Sequence, residues 1–165
     1  MRRALVLRGG GTAGLLGGRP RDFFISIAES VSPFVKEVLG LKMVKAEPGN
    51  IEMEMALKPQ FIGNPFSAAL HGGVAAAAAD HVAGFAAWSS LADPNLVVST
   101  VDLRLDYLQP ATFTAGDYLH ISGKVLNDKG GGGRLLRADA EVRNSKNELL
   151  VCARGTFNVY KLTKE

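Results

Sequence analysis

The sequence predicts an α+β fold, a curved antiparallel sheet wrapped around one long central helix. Three observations carry this reading. Apolar and polar residues alternate with period two in several segments from Ile51 onward, as half-buried strands do. One run, Val74 to Trp88, is apolar on almost every side and rich in alanine. The breaks between the last strands are short and hold proline, glycine or asparagine, which favours antiparallel hairpins. At 165 residues, 47% hydrophobic and 21% charged, the chain suits a single core.

The first twenty residues stand apart. MRRALVLRGGGTAGLLGGRP is rich in Arg and Gly and has no acid, so 1–20 read as a flexible tail or a targeting presequence and 21–165 as one domain. A mitochondrial transit peptide accounts for the arginines, although the glycines make a poor amphipathic helix and serine is missing. The chain would then work in the mitochondrial matrix, and otherwise in the cytoplasm. Gly9, Gly11 and Gly14 also satisfy G-x-G-x-x-G after the strand-like run Ala4 to Leu7. A dinucleotide site needs a helix directly after the third glycine, and Gly17, Gly18 and Pro20 break it.

Charge and cysteine content narrow the function classes. The net charge is +3, yet five arginines precede the first acid, Asp22. Setting those five aside from the 19 basic residues leaves 14 against 16 acidic ones, so 22–165 carry a net charge of −2. A nucleic-acid surface needs clustered Lys and Arg with exposed aromatics, so no nucleic-acid partner is expected. Asp80 and His81 interrupt the longest low-polarity stretch, and no membrane span is expected either. The single cysteine, Cys152, excludes an internal disulfide and any multi-cysteine zinc site. No metal and no cofactor are expected.

From Arg21 the elements follow in order. Phe24, Ile27, Ala28, Val31, Phe34, Val35 and Val38 keep near the helical period, and Pro33 divides 23–39 into two short helices. Ile51, Met53, Met55 and Leu57 alternate with Glu52 and Glu54, giving a strand paired with 41–46 through a turn at Pro48, Gly49 and Asn50. A loop spans 59–70, and a helix runs from about 73 to 91. Four strands complete the chain at 95–108, 118–127, 135–143 and 149–160. Val101, Leu103, Leu105 and Tyr107 share one face, with Asp102, Arg104 and Asp106 opposite. Leu136, Ala138, Ala140 and Val142 alternate with Arg137, Asp139, Glu141 and Arg143. One face is dry, one wet, and successive strands should pair as hairpins.

The helix carries the functional signal. Being apolar all round, it should be enclosed, with the sheet on one side and a partner subunit on the other. Asp80 is the only acid between Glu54 and Asp93. A carboxylate among alanines is costly unless paired or hydrogen-bonded. Just before the helix, Asn64 and the run His71, Gly72, Gly73 bring polar and small residues to an N-terminus whose amides lack intrahelical partners and whose dipole end is positive. Glycine there lets a substrate carbonyl approach the backbone, as an oxyanion-stabilising site requires. Gly72 and Asp80 are eight residues apart, roughly 12 Å along a helix. They cannot grip one carbonyl together, so a shared reaction needs Asp80 of one subunit facing Gly72 of another across a two-fold axis.

Asn64 with Pro65, the run L-H-G-G at 70–73, Asp80 nine positions after His71, and V-D-x-x-x-x-Y-x-x-P from Val101 to Pro110 closely resemble the PaaI-like hotdog-fold acyl-CoA thioesterases over about 45–160. The resemblance implies a hotdog fold and dimers that join their sheets, commonly paired into tetramers, with active sites at the dimer interface. It implies that Asp80 is the catalytic carboxylate, acting as general base on water or as nucleophile, and that the Gly72 N–H polarises the thioester carbonyl. His71 shapes the entry turn, Asn64 lies near the reacting thioester or water, and Thr100 orients the water. Many members carry a glycine where Ser67 or Ala68 stands here.

Thioester hydrolysis asks for little more, because thiolate is a good leaving group and one base with one polarising amide suffices. The partner ligand is then acyl-CoA. Gly73, Phe66, Phe85, Trp88 and Tyr107 are candidates to contact the substrate, the aromatic ones in an acyl pocket, and Arg134 and Arg137, beside the glycine run 130–133, are candidates for its phosphates. Two alternatives stay open: a non-catalytic acyl-CoA binding protein, and a hydratase or dehydratase on the same fold.

Overall fold

A computed structural model describes residues 15–112, 116–126 and 134–161. Of the expected tail or presequence, 1–14 lie outside the described residues, as do all four glycines at 130–133. Residues 15–20 are not a free tail. Leu15–Leu16 (β1) and Arg19–Pro20 (β2) form a tight hairpin, with Gly17 and Gly18 turning at φ +57 and +68. Two successive left-handed residues are what a two-residue hairpin turn requires. Leu16 is buried, and the Gly17 N–H donates to the Ser89 carbonyl at 3.0 Å. Apolar burial therefore fastens this stretch to the body.

Helix α1 spans Arg21–Ser30 and buries Phe24 and Ala28. Pro33 divides the stretch as expected, and the chain resumes as a wide π-helical segment, Phe34–Leu39. Gly40 closes it by donating to the Val35 carbonyl at 2.8 Å. Strands β3 (Lys42–Glu47) and β4 (Asn50–Ala56) pair antiparallel, with Ile51, Met53 and Met55 buried and Glu52 and Glu54 turned outward. The expected loop holds a 3₁₀ turn at Pro59–Phe61 and a small ribbon of β5 (Ile62–Asn64) and β6 (Ala69–Leu70).

Helix α2 runs Gly72–Ser89, and four long strands follow: β7 (Leu96–Tyr107), β8 (Tyr118–Val125), β9 (Leu135–Asn144) and β10 (Leu149–Lys161). The six-stranded antiparallel sheet has the order β3-β4-β8-β9-β10-β7. One pairing departs from the hairpin expectation. Strand β8 has β4 on one side and β9 on the other, which leaves it no edge for β7. Strand β7 instead forms the far edge, against β10.

Against the sheet, α2 buries Ala75, Ala78, Ala79, Val82, Ala83, Ala86 and Ala87. Small side chains bring backbone close to backbone. A Cβ at Gly123 of β8 would stand 2.7 Å from the Val82 carbonyl oxygen, so only glycine fits under the helix there. The opposite side of α2 is less enclosed than the composition suggests, with Val74, Ala77, Phe85 and Trp88 only partly buried. Helix α1 covers part of it. The His81 ring packs on Phe85 at 4.5 Å between centroids, and its Nε2–H donates to the Ala28 carbonyl at 2.7 Å, tying α1 to α2. Among the described residues, no helix is long and apolar enough to cross a membrane.

Two expected outcomes follow from this packing. Gly123→Ala should overpack the helix–sheet contact by about 1–3 kcal/mol, lowering the thermal midpoint by about 3–10 °C in a melt followed by circular dichroism. His81 supplies a pH dependence. Burial lowers its pKa below the ordinary 6.5, against the raising effects of the Ala28 hydrogen bond and the Asp80 charge. The unfolded chain therefore takes up the proton first. Stability is whole above the unfolded value and is lost as pH falls from there through the depressed folded value. Denaturant unfolding on either side of that window should show wild type losing more stability on acidification than His81→Gln, and equal losses would refute the assignment.

Candidate active site

Asp80 lies in the middle of α2, half-buried rather than enclosed, and its Oδ1 accepts a hydrogen bond from the Thr100 hydroxyl at 2.9 Å. That bond satisfies the carboxylate locally. Thr100 reaches it because of a bulge in β7. The register against β10 runs Thr100 to Phe157 and then jumps to Asp102 opposite Thr156, leaving Val101 unpaired. Residues directly opposite in an antiparallel pair share a face, and Phe157 is buried toward α2. Thr100 therefore faces the helix. Beyond the bulge Leu103, Leu105 and Tyr107 face the same way, opposite Gly155, Ala153 and Val151. The alternating pattern places Val101 with them, but the bulge turns Val101 outward, 60% exposed. A one-residue insertion resets strand parity and re-aims side chains beside functional sites.

Asp80 and Thr100 border a cavity of about 290 Å³ whose other walls include Ile27, Val31, Gly84, Phe85, Trp88, Val97 and Phe157. The cavity is a largely apolar slot whose polar lining comes from Asp80, His81, Ser99 and Thr100. Phe85 and Trp88, both expected to contact substrate, belong to it. Sequence patterning alone does not single out Ile27, Val31 or Phe157, which read as ordinary apolar positions. Gly84 leaves a signal: a helix-interior glycine costs about 1 kcal/mol relative to alanine, and this one sits one turn past Asp80.

The N-terminus of α2 is built differently. His71 caps it, its Nδ1 accepting from the Gly73 N–H at 3.0 Å. Among the described residues no acceptor takes the neighbouring Gly72 N–H, which stands at the positive end of an 18-residue helix. Tyr107 donates its hydroxyl proton to the Gly72 carbonyl at 3.0 Å, and its ring lies so near that a Cβ at Gly72 would meet it at 3.1 Å. Gly72 and Tyr107 border a second cavity of about 390 Å³, together with Leu70, Leu108 and Pro110. Within one chain, then, the amide and the carboxylate open onto different cavities.

The remaining candidates fall around these two centres. Asn64 ends β5, exposed, and its Oδ1 accepts from the Phe66 N–H at 3.0 Å. Strand β5 leans on the helix entry, since a Cβ at Gly63 would stand 2.6 Å from the His71 Cα. Ala68 takes φ +49, a left-handed conformation that explains a glycine preference in this loop. Phe66 is fully exposed. Arg134 is exposed just before β9, and Arg137, between buried Leu136 and Ala138, points to the sheet face away from α2. Among the described residues no three His, Cys, Asp or Glu side chains converge as a metal site needs.

Over 68–151, just over half of the chain, the sequence matches the family model described as Thioesterase superfamily. The Escherichia coli K12 protein named Medium/long-chain acyl-CoA thioesterase YigI is 27% identical over 139 residues, which span 77% of this chain and 85% of that protein. The E. coli PaaI protein from the phenylacetic acid degradation operon superposes with a TM-score of 0.67 at 20% identity, covering 86% of this chain and 93% of that one. The smu.793 protein of Streptococcus mutans UA159, solved bound to acetyl CoA, gives a TM-score of 0.63 at 22% identity, covering 75% and 91%. The solved structures share the hotdog fold seen here, and the matched segment contains all of α2, β7, β8 and β9: the chain belongs to the thioesterase superfamily.

Proposed function

We propose that the protein hydrolyses a medium-chain, long-chain or aryl acyl-CoA to the free acid and CoA. The observation that carries this is the Asp80–Thr100 hydrogen bond on the wall of an apolar cavity. Thr100 holds one carboxylate oxygen, leaving the other free to act. Acting as general base, Asp80 takes a proton from water while the water oxygen bonds to the thioester carbon. The C–S bond then breaks and the proton passes to the departing thiolate. Acting as nucleophile, Asp80 attacks the thioester carbon and the C–S bond breaks to release the CoA thiolate, leaving a transient anhydride that water hydrolyses to the acid and free Asp80. Neither route needs a bound cofactor.

The carbonyl oxygen requires a donor where its charge develops, and the Gly72 N–H of a partner subunit fills that role. His71 occupies the Gly73 amide and Tyr107 pins the Gly72 carbonyl, so the amide left over at this turn is that of Gly72. The separate cavities for Gly72 and Asp80 support a site completed by dimerisation. The exposed edge strand β7 supports sheet joining between protomers, on which a homotetramer would build. The relative named as a medium/long-chain acyl-CoA thioesterase and the neighbour solved with acetyl CoA support the substrate class.

Asp80→Asn should lower kcat for acyl-CoA by about 10²–10⁴-fold while leaving binding intact. Thr100→Val, which releases the carboxylate without removing it, should cost about tenfold. Free-thiol detection with purified protein measures both. Wild type that binds acyl-CoA and releases no thiol would instead support the binding-module reading, and undiminished turnover in Asp80→Asn would remove Asp80 from the chemistry.

A further inference from the structure

We infer that Asp80, Gly84 and Trp88 form a ruler along α2 that limits the acyl chain to about eight to ten carbons, an inference that rests on the thioesterase reading. Residues spaced by four lie on one helix face, and all three line the same cavity. At 1.5 Å per residue the helix advances roughly 12 Å from Asp80 to Trp88. An extended alkyl chain, with bonds of about 1.5 Å at tetrahedral angles, advances roughly 1.25 Å per carbon. Allowing for contact distance at the far end, a chain whose carbonyl lies beside Asp80 reaches the Trp88 ring after about eight to ten carbons.

The middle of the ruler is tight. A Cβ at Gly84 would stand 3.2 Å from the Phe157 ring, so helix and ring pack together there, the chain runs beside that contact, and any larger side chain at Gly84 is pushed toward its path. Phe157 has nowhere to retreat. Its ring lies over Gly155, where a Cβ would come within 2.5 Å of it.

The Trp88 end is braced. The Trp88 indole N–H donates to the Leu96 carbonyl at 2.9 Å, and Phe24 and Phe85 pack on the ring at 5.0 and 5.3 Å between centroids. The Arg19 guanidinium covers it at 4.7 Å, delivered by the β1–β2 hairpin. A wall held from four sides does not yield readily to an extra methylene.

The test is the chain-length profile of kcat/KM from acetyl- to palmitoyl-CoA, with thiol release as the readout. For wild type the profile should climb about three- to fourfold per methylene to octanoyl or decanoyl and then fall. Gly84→Val should move the maximum to shorter chains, and Trp88→Leu should move it to longer ones. A wild-type profile still rising at palmitoyl, or an unmoved maximum in folded Gly84→Val, overturns the ruler. Trp88 is the sole tryptophan of the chain, which gives a readout independent of turnover. In Asp80→Asn, decanoyl-CoA should shift its emission to the blue and butyryl-CoA should not, and identical emission with both overturns the ruler even where the variants do not fold. Absence of thiol release with every chain length would defeat the hydrolytic reading instead, leaving the emission result to decide the ruler.

Discussion

The contact between the backbone of α2 and the sheet governs the rest of this molecule. Alanine on the sheet side and Gly123 beneath Val82 bring the helix so close that no side chain of ordinary size fits between them. Such a contact buries little area per residue but fixes position closely, because interiors packed at crystal-like density do not deform smoothly. It also sorts the residues of the helix. His81, Phe85, Trp88 and Asp80 emerge on the side away from the sheet, where the hairpin and α1 close only part of the space. The cavity is what remains of that space, and the carboxylate lines it because no other face of the helix would accept a charge.

The edge strand answers the helix. Strand β7 must supply a hydroxyl to Asp80 near one end and the Tyr107 ring to Gly72 near the other, both on the same face of the sheet. Thr100 and Tyr107 are seven apart, an odd number, so a regular strand would put them on opposite faces. The bulge at Val101 removes the conflict. It falls between the two contacts with α2 rather than at the strand end, as a device that reconciles them would.

Much of this was legible in the residues. Period-two alternation located every long strand to within two or three residues, since a half-wet sheet imposes that period directly, and the alanine run located α2 because little else is apolar all round at that length. Asp80 announced itself as a lone acid in apolar surroundings. What stayed hidden depended on pairing. The β7–β10 partnership, the unpaired Val101 and the fastening of 15–20 by Leu16 and Gly17 are all set by distant residues that local patterning cannot register. Strand order came out wrong at β7 for the same reason: a short connection favours a hairpin only when the neighbouring edge is free, and β4 had already taken it.

The helix also explains why a single chain is an incomplete site under the proposed reading. A carbonyl must meet a donor and a base within a few ångströms, yet the two groups sit at the end and middle of one rigid rod, separated by roughly 12 Å. Bending the rod would break the contact at Gly123, and moving Asp80 toward the N-terminus would place it above the second cavity, away from Thr100 and the acyl slot. Two-fold symmetry reconciles these demands at no cost to the fold: an antiparallel copy brings its helix entry opposite this helix's middle, and because the operation is reciprocal, each such contact makes two equivalent sites. The exposed strand β7 and the partly covered face of α2 are the surfaces such a copy would meet, and both border the residues that need it.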